Sequence, residues 1–302
     1  MDYGYIIYKK EGEIATITMN QPEKLNAWPF YGGIADEFMK ALDEAEEDDD
    51  IKIVVINGAG PCFCSGHDLG EVGFAYGYGT GKRNQPQPHR PGQKIRLQVD
   101  RHEMYDQFGR LLYYPKVTLA SVHSYCTGQG LILATMTDLV IASDDAVFGH
   151  PGMRLGFGGA AVSLPLILAI GWKRVRELYL TGRSIAAEEA RQIGFVNFVV
   201  PRNELEEKTY NLAKAMCLQP ADGLAIGKAA VLMQFDLLGM HGGFTQGFLT
   251  HTLYTNLRWK PDEFSWMKER RNQGVKSAMN QLHKMYSDLL PVPDAMVKRE
   301  SK

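Results

Sequence analysis

Two segments of the chain share one layout, and together they constrain its fold more than any other feature. Each begins with an apolar run typical of a buried strand, over 51–57 in one segment and 117–122 in the other. Each continues into a turn that contains glycine, over 63–69 and 125–131. Either turn alone could be purely structural. As a pair they can direct two unpaired backbone N–H groups at one point, and two convergent donors stabilise an oxyanion.

The composition is that of an ordinary globular protein and argues against several partners. Of the 302 residues, 45% are hydrophobic and 23% are charged, which permits a sizeable core. The net charge of −2 gives no electrostatic reason to expect nucleic acid. The four cysteines are Cys62, Cys64, Cys126 and Cys217. They lack a second pair at zinc-like spacing, so we predict no metal site.

The sequence also shows no targeting or membrane signal. Residues 1–6 contain no basic segment followed by an apolar one, so no signal peptide is predicted. No run of about 18 apolar residues is present to span a membrane. We therefore expect a cytoplasmic protein without a membrane partner.

The periodicity predicts an α/β region followed by a helical one. Strands are predicted at 14–19, 51–56, 117–122, 138–142, 146–148 and 195–200, and helices at 34–45, 95–112, 129–136, 172–180 and 186–193. Residues 74–94 lack periodicity and predict a long loop, and 156–161 are expected to open a further helix. Residues 203–206 match a capping-box start. We expect an α/β core over 1–201 and a helical region over 202–302.

From residue 14 to about 278 the sequence resembles the crotonase superfamily, the enoyl-CoA hydratase/isomerase family. The two glycine turns carry most of this resemblance. It implies a spiral of strand–turn–helix units with a C-terminal helical domain that forms trimers or dimers of trimers. It also implies an acyl-CoA substrate, with coenzyme A as part of the substrate and no separate cofactor.

The resemblance assigns roles to particular residues. The oxyanion donors would be the backbone amides of His67 and Gln129. The remaining residues of the substrate and CoA site would be Ser65, Asp68 and Leu69 in the first turn, Lys24, Leu25 and Ala27 in the loop that meets the adenosine end of CoA, and Gly152. Lys24 could equally be a plain surface lysine.

Two positions depart from the family's hydratase pattern. Hydratases of this family carry one glutamate two residues after the glycine triplet and another after the proline of a Phe-Gly-x-Pro-Glu segment. The matching residues here are Ile132 and Gly152. Neither can transfer a proton, which argues against two-glutamate hydration of a straight enoyl-CoA.

Few other proton-transfer candidates remain. They are the side chain of His67, His150 beside the second missing acid, and Tyr105 and Asp106 on the helix after the long loop. Histidine is readily tuned near neutral pH. Each candidate could instead be a packing residue, and His251 in the tail is expected to be one.

The leading hypothesis is therefore an enzyme that stabilises an enolate of an acyl-CoA thioester. Lyase, C–C hydrolase, decarboxylase and isomerase chemistry all remain open. The glycines of 156–161 suit either a bulky or cyclic acyl group or close helix packing. The alternative is a non-catalytic crotonase-like protein that binds acyl-CoA or serves as a scaffold.

Overall fold

The computed structural model describes residues 2–75, 92–156, 163–254, 257–290 and 293. Strands β1–β9 are Ile6–Glu11, Ile14–Met19, Ile53–Gly58, Val117–Val122, Tyr125–Thr127, Leu139–Ser143, Val147–Gly149, Ser184–Ala186 and Phe198–Val200. Helices α1–α14 are Gly33–Glu47, Leu69–Ala75, Gln93–Arg101, Arg110–Leu112, Gln129–Met136, Gly152–Leu155, Ser163–Ile170, Trp172–Thr181, Ala187–Gln192, Leu205–Cys217, Ala221–Leu237, Met240–Tyr254, Trp266–Gln273 and Val275–Ser287. A π-helical segment, His102–Gly109, joins α3 to α4.

Two sheets organise the α/β part. The larger has six strands in the order β1-β2-β3-β4-β6-β9, and only the β1–β2 pair is antiparallel. The smaller has the order β5-β7-β8, with β5 parallel to β7 and β8 antiparallel to it. Because β3 and β4 are parallel neighbours, their carboxyl ends meet at one edge. The two glycine turns of the sequence follow these strands and therefore lie side by side.

The predicted α/β class and the helical tail are confirmed, and most predicted elements lie within two residues of the observed ones. Strand β1 was missed because it is an edge strand paired only with β2, and its side chains do not alternate cleanly between buried and exposed. Strand β8 was missed because it has three residues. The capping box at 203–206 is wrong: α10 begins after Glu204, whose side chain makes no cap hydrogen bond.

The apolar residues of α1 are buried, as their helical spacing predicts. Ile34, Phe38, Leu42 and Ala45 are fully buried against the main sheet. Burying a large apolar side chain contributes about 1.5–3 kcal/mol. This buried stripe therefore holds α1 against the main sheet.

A buried ion pair attaches the helical region to the sheet. The Nζ of Lys228, on α11, lies 2.7 Å from Asp138 Oδ2 and donates to the Lys116 carbonyl at 2.8 Å. Asp138 also accepts from the backbone N–H and hydroxyl of Thr118, the second residue of β4. Asp138 therefore has a structural role, because it joins α11 to β4.

Within the described residues, no single helix is long and apolar enough to cross a membrane. The pair Ala221–Leu237 and Met240–Tyr254 meets the length and composition criteria only jointly, with a 60° bend between the helices.

Candidate active site

The two glycine turns pack backbone against backbone. The Cys64 N–H donates to the Tyr125 carbonyl at 3.0 Å, and the Thr127 N–H donates to the Cys64 carbonyl at 3.1 Å. Gly66 and Gly128 have φ values of +102° and +55°, a region that favours glycine. A Cβ atom on Gly128 would lie 3.3 Å from the Gly66 Cα, so neither glycine can be enlarged without moving the other turn.

This packing places the amides of His67 and Gln129 close together. The position of a Cβ on Gly128 is 4.0 Å from the His67 nitrogen, and Gln129 is the next residue along the chain. The two residues on either side of His67 are hydrogen-bonded to Trp28. The Trp28 N–H donates to the Gly66 carbonyl, and the Asp68 N–H donates to the Trp28 carbonyl. In the described parts of the chain, neither the His67 nor the Gln129 N–H has an acceptor. Their role as oxyanion donors stays a prediction.

The loop assigned to CoA contact is hydrogen-bonded to the first turn. The Ser65 N–H donates to the Leu25 carbonyl at 3.1 Å, and Leu25 has a left-handed conformation with φ 55°. Lys24 Nζ lies 3.9 Å from Asp68 Oδ2. The other carboxylate oxygen of Asp68 accepts from the Gly70 N–H at 2.8 Å and so fixes the start of α2.

Two further residues of the predicted site lie near these turns. Ala27, in the same loop, is buried and its N–H donates to the Lys24 carbonyl. Leu69 packs against Phe30, Val72 and Val99. The structure thus brings the predicted substrate and CoA residues of 24–27 and 65–69 into one continuous region.

The side chain of His67 faces the carboxylate of Glu103, which is not among the site residues predicted from the sequence. Its Nε2 lies 3.2 Å from Oε1 of Glu103, a residue only 1% exposed. The distance suits an ion pair, but the angles are not those of a hydrogen bond, and both atoms are otherwise unbonded within the described residues. The His67 ring stacks on Phe30 with centroids 4.2 Å apart, and its Nδ1 is 3.3 Å from the Trp28 carbonyl oxygen.

A second histidine–carboxylate pair lies on the neighbouring turn of the same helical segment. His251 Nδ1 is 3.0 Å from Asp100 Oδ1, and the Thr252 hydroxyl donates to Asp100 Oδ2 at 2.7 Å. Burial lowers the pKa of His251, but the charge and hydrogen bond of Asp100 together with the charge of Glu103 raise it, and the net shift is upward. His251 is thus buried, as its predicted packing role requires, and in addition it forms an ion pair with Asp100.

His150 is buried close to both pairs. Burial, together with the positive charges of His251 and His67, lowers the pKa of His150 to about 4, so the ring is neutral at neutral pH. Its Nδ1 has no hydrogen-bond partner within the described residues, and the ring meets Tyr179 edge to face at 5.1 Å. An unpartnered neutral imidazole can accept a proton or bind a polar group of a ligand.

The structure does not bring Tyr105 and Asp106 to this cluster. The Tyr105 hydroxyl lies 2.7 Å from the Thr245 hydroxyl and donates to the His241 carbonyl. Asp106 is half-exposed and lies 2.9 Å from His102. Their position after the long loop makes Tyr105 and Asp106 predicted proton-transfer candidates. The helical phase, however, turns both side chains away from His67 and turns Glu103 towards it.

Ile132 and Gly152 occupy the positions where the resemblance places the hydratase glutamates. Ile132 is 2% exposed and belongs to the main core. Gly152 is the buried first residue of the short helix α6. The glycine-rich segment expected at 156–161 lies outside the described residues from 157 onward, as does most of the predicted loop.

Asp100 and Glu103 could have been found from the sequence. Val99, Met104 and Phe108 form an apolar stripe on the same helical face. Acidic residues inside such a stripe must be buried, and buried carboxylates are candidates for function.

Comparison with known proteins identifies the fold and the family. The family model described as enoyl-CoA hydratase/isomerase matches residues 9–246. A Mycobacterium tuberculosis protein, "Putative enoyl-CoA hydratase EchA13", is 31% identical over 260 residues, covering 83% of this chain and 81% of that protein. The chain therefore belongs to the enoyl-CoA hydratase/isomerase family, within the crotonase superfamily.

Solved structures agree with this assignment. An enoyl-CoA hydratase/isomerase from Xanthobacter autotrophicus Py2 matches with a TM-score of 0.80 and 26% identity, over 96% of this chain and all of that one (100%). A structure from Mycobacterium smegmatis, titled a probable enoyl-CoA hydratase, matches with a TM-score of 0.73 and 31% identity, over 83% of this chain and 94% of that one. The predicted crotonase-like fold is thus confirmed.

Proposed function

We propose that this protein is an acyl-CoA enzyme that stabilises an enolate with the amides of His67 and Gln129. The observation that carries the proposal is the close approach of the two turns at Gly66 and Gly128. At this approach lie the N–H groups of His67 and Gln129, which have no acceptor among the described residues. When a proton leaves the α-carbon, the electron pair moves to the thioester oxygen. Two fixed donors at that oxygen lower the barrier, each by about 2.7–4 kcal/mol.

The reaction is proposed to differ from two-glutamate hydration. Isoleucine and glycine cannot activate water, and the buried Ile132 leaves no polar group at its position. Lyase chemistry needs an enolate and one proton-transfer group, whereas C–C hydrolysis also needs a water molecule and a base other than Ile132 or Gly152 to activate it. A bulky or cyclic acyl group is proposed as the substrate of such a reaction.

The domain division and the assembly are further parts of the proposal. We place an α/β core at 1–201 and a helical oligomerisation region at 202–302. Phe244 and Phe248 of α12 are buried in the core of the single chain, so they are not available to an interface between chains. Exposed apolar side chains remain on α11 and α12, among them Ile226, Met233 and Leu253. A trimer or a dimer of trimers would cover them.

A panel of acyl-CoA esters tests the function. The panel contains linear, cyclic and aromatic esters, with products identified by mass and α-proton exchange followed in heavy water. We expect exchange with at least one ester and turnover of a bulky or cyclic one. Binding of several esters without any exchange would instead support the scaffold alternative.

A further inference from the structure

Glu103 is a buried carboxylate that the fold does not explain. It is 1% exposed, and its Oε1 has no hydrogen bond within the described residues. Taking a carboxylate out of water costs several kcal/mol unless it is paired and hydrogen-bonded. The His67 imidazole, 3.2 Å away, supplies the only ion pair that the described residues give this carboxylate. Such an under-satisfied acid is a candidate for a functional role.

The neighbouring acid provides an internal comparison. Asp100 is equally buried, yet His251 and Thr252 occupy both of its carboxylate oxygens. Its charge is fully engaged in holding α12 against α3. Within the described residues Glu103 makes no such hydrogen bond, so there it can gain and lose a proton without breaking a structural hydrogen bond.

The orientation of His67 connects Glu103 to the oxyanion site. The Trp28 carbonyl is an acceptor, so Nδ1 of His67 carries the hydrogen in that 3.3 Å contact. Nε2 faces Glu103, and it pairs with a carboxylate only when it also carries a hydrogen, as in the doubly protonated ring. Stacking on Phe30 fixes the ring. The same residue therefore presents its backbone amide to the oxyanion position and its ring to the carboxylate.

We propose that Glu103 is the proton-transfer residue of this enzyme and that His67 positions it. This inference rests on the proposed function. In the step, the α-carbon–hydrogen bond of the thioester breaks and the proton passes to the Glu103 carboxylate. The electron pair moves to the thioester oxygen, at the amides of His67 and Gln129. Glu103 then exchanges this proton with water or returns it to the enolate carbon, so no oxidant or reductant is needed.

Exchange of the α-proton in heavy water tests this assignment. Butyryl-CoA and cyclohexanecarbonyl-CoA are the probes, and mass spectrometry gives the exchange rate. We expect Glu103→Gln to lower the rate at least about 100-fold, as removal of a general base does. The affinity for each ester, measured by calorimetry, should change little. Glu206→Gln, on the exposed surface of α10, is the matched control and should exchange like the wild type.

The outcomes separate this inference from the proposed function. A folded Glu103→Gln protein that exchanges within threefold of wild type overturns the role of Glu103 alone. Wild-type protein that exchanges no ester of the full panel overturns the proposed function and this inference with it. If Glu103→Gln does not fold, Glu103→Asp and His67→Gln replace it. His67→Gln keeps the amide, so it should slow exchange and move the midpoint of the pH–rate profile, and an unmoved midpoint with full rate refutes the positioning role.

Discussion

Replacing Gln129 by proline should remove one oxyanion donor while leaving the fold intact. Gln129 is the first residue of α5, and the helix does not use its N–H. The nearby bonds run from the Gly128 N–H to the Gly149 carbonyl at 2.9 Å and from the Ile132 N–H to the Gly128 carbonyl at 3.1 Å. Proline at 129 breaks neither bond, and proline is favoured at a first helical position.

The expected effect on catalysis is large. Loss of one oxyanion donor costs about 2.7–4 kcal/mol of transition-state stabilisation, which is about 10²–10³-fold in rate. The assay is α-proton exchange in heavy water with the ester that the panel identifies, and thermal unfolding reports the fold. Because no described hydrogen bond is lost, we expect the free energy of unfolding to fall by less than about 1 kcal/mol.

Gln129→Ala is the matched control, because it removes the side chain and keeps the N–H. It should retain activity within a few-fold of the wild type. A folded Gln129→Pro protein with wild-type exchange would show that this amide does not bind the developing oxyanion. A loss of the same size in Gln129→Ala would transfer the role to the amide side chain.

The remaining predictions concern hydration, stability, pH and assembly. Wild-type protein should hydrate crotonyl-CoA far more slowly than a two-glutamate hydratase, since each missing acid forfeits about 10²–10⁴-fold; rapid hydration would show that another pair had replaced Ile132 and Gly152. Lys228→Met should destabilise the fold by about 2 kcal/mol, less than the about 3–5 kcal/mol of a fully buried pair because Asp138 is partly exposed, and denaturant unfolding that showed no change would contradict this. His150 has its pKa lowered to about 4, so protons bind the unfolded state more tightly, and stability should fall as pH drops from about 6.5 to 4. Between pH 7.5 and 4.5, the free energy of unfolding, measured with urea, should therefore fall by about 2–3 kcal/mol less for His150→Gln than for the wild type. Light scattering should give a trimer or hexamer, and a stable monomer at working concentration would refute the proposed assembly.

Local sequence patterns determined the class of fold and the main elements of the site. Apolar runs predict buried strands because a parallel strand is covered on both faces, and α1 follows from its helical spacing. Glycine predicts the turns at Gly66 and Gly128 because their positive φ values exclude most other residues. These constraints act between residues that are close in the sequence, so the sequence shows them without the tertiary structure.

Only the tertiary structure decided which partners the acids of this helical segment meet. Asp100, Glu103 and Asp106 lie within two helical turns. The apolar stripe of the segment indicates which of them are buried but not what they face. The helix's rotation against its neighbours buries the first two and leaves Asp106 half-exposed. Helix α12 then brings His251 to Asp100 across 151 sequence positions, and the first turn brings His67 to Glu103. Such pairings depend on packing between distant segments, which no local pattern in the sequence specifies.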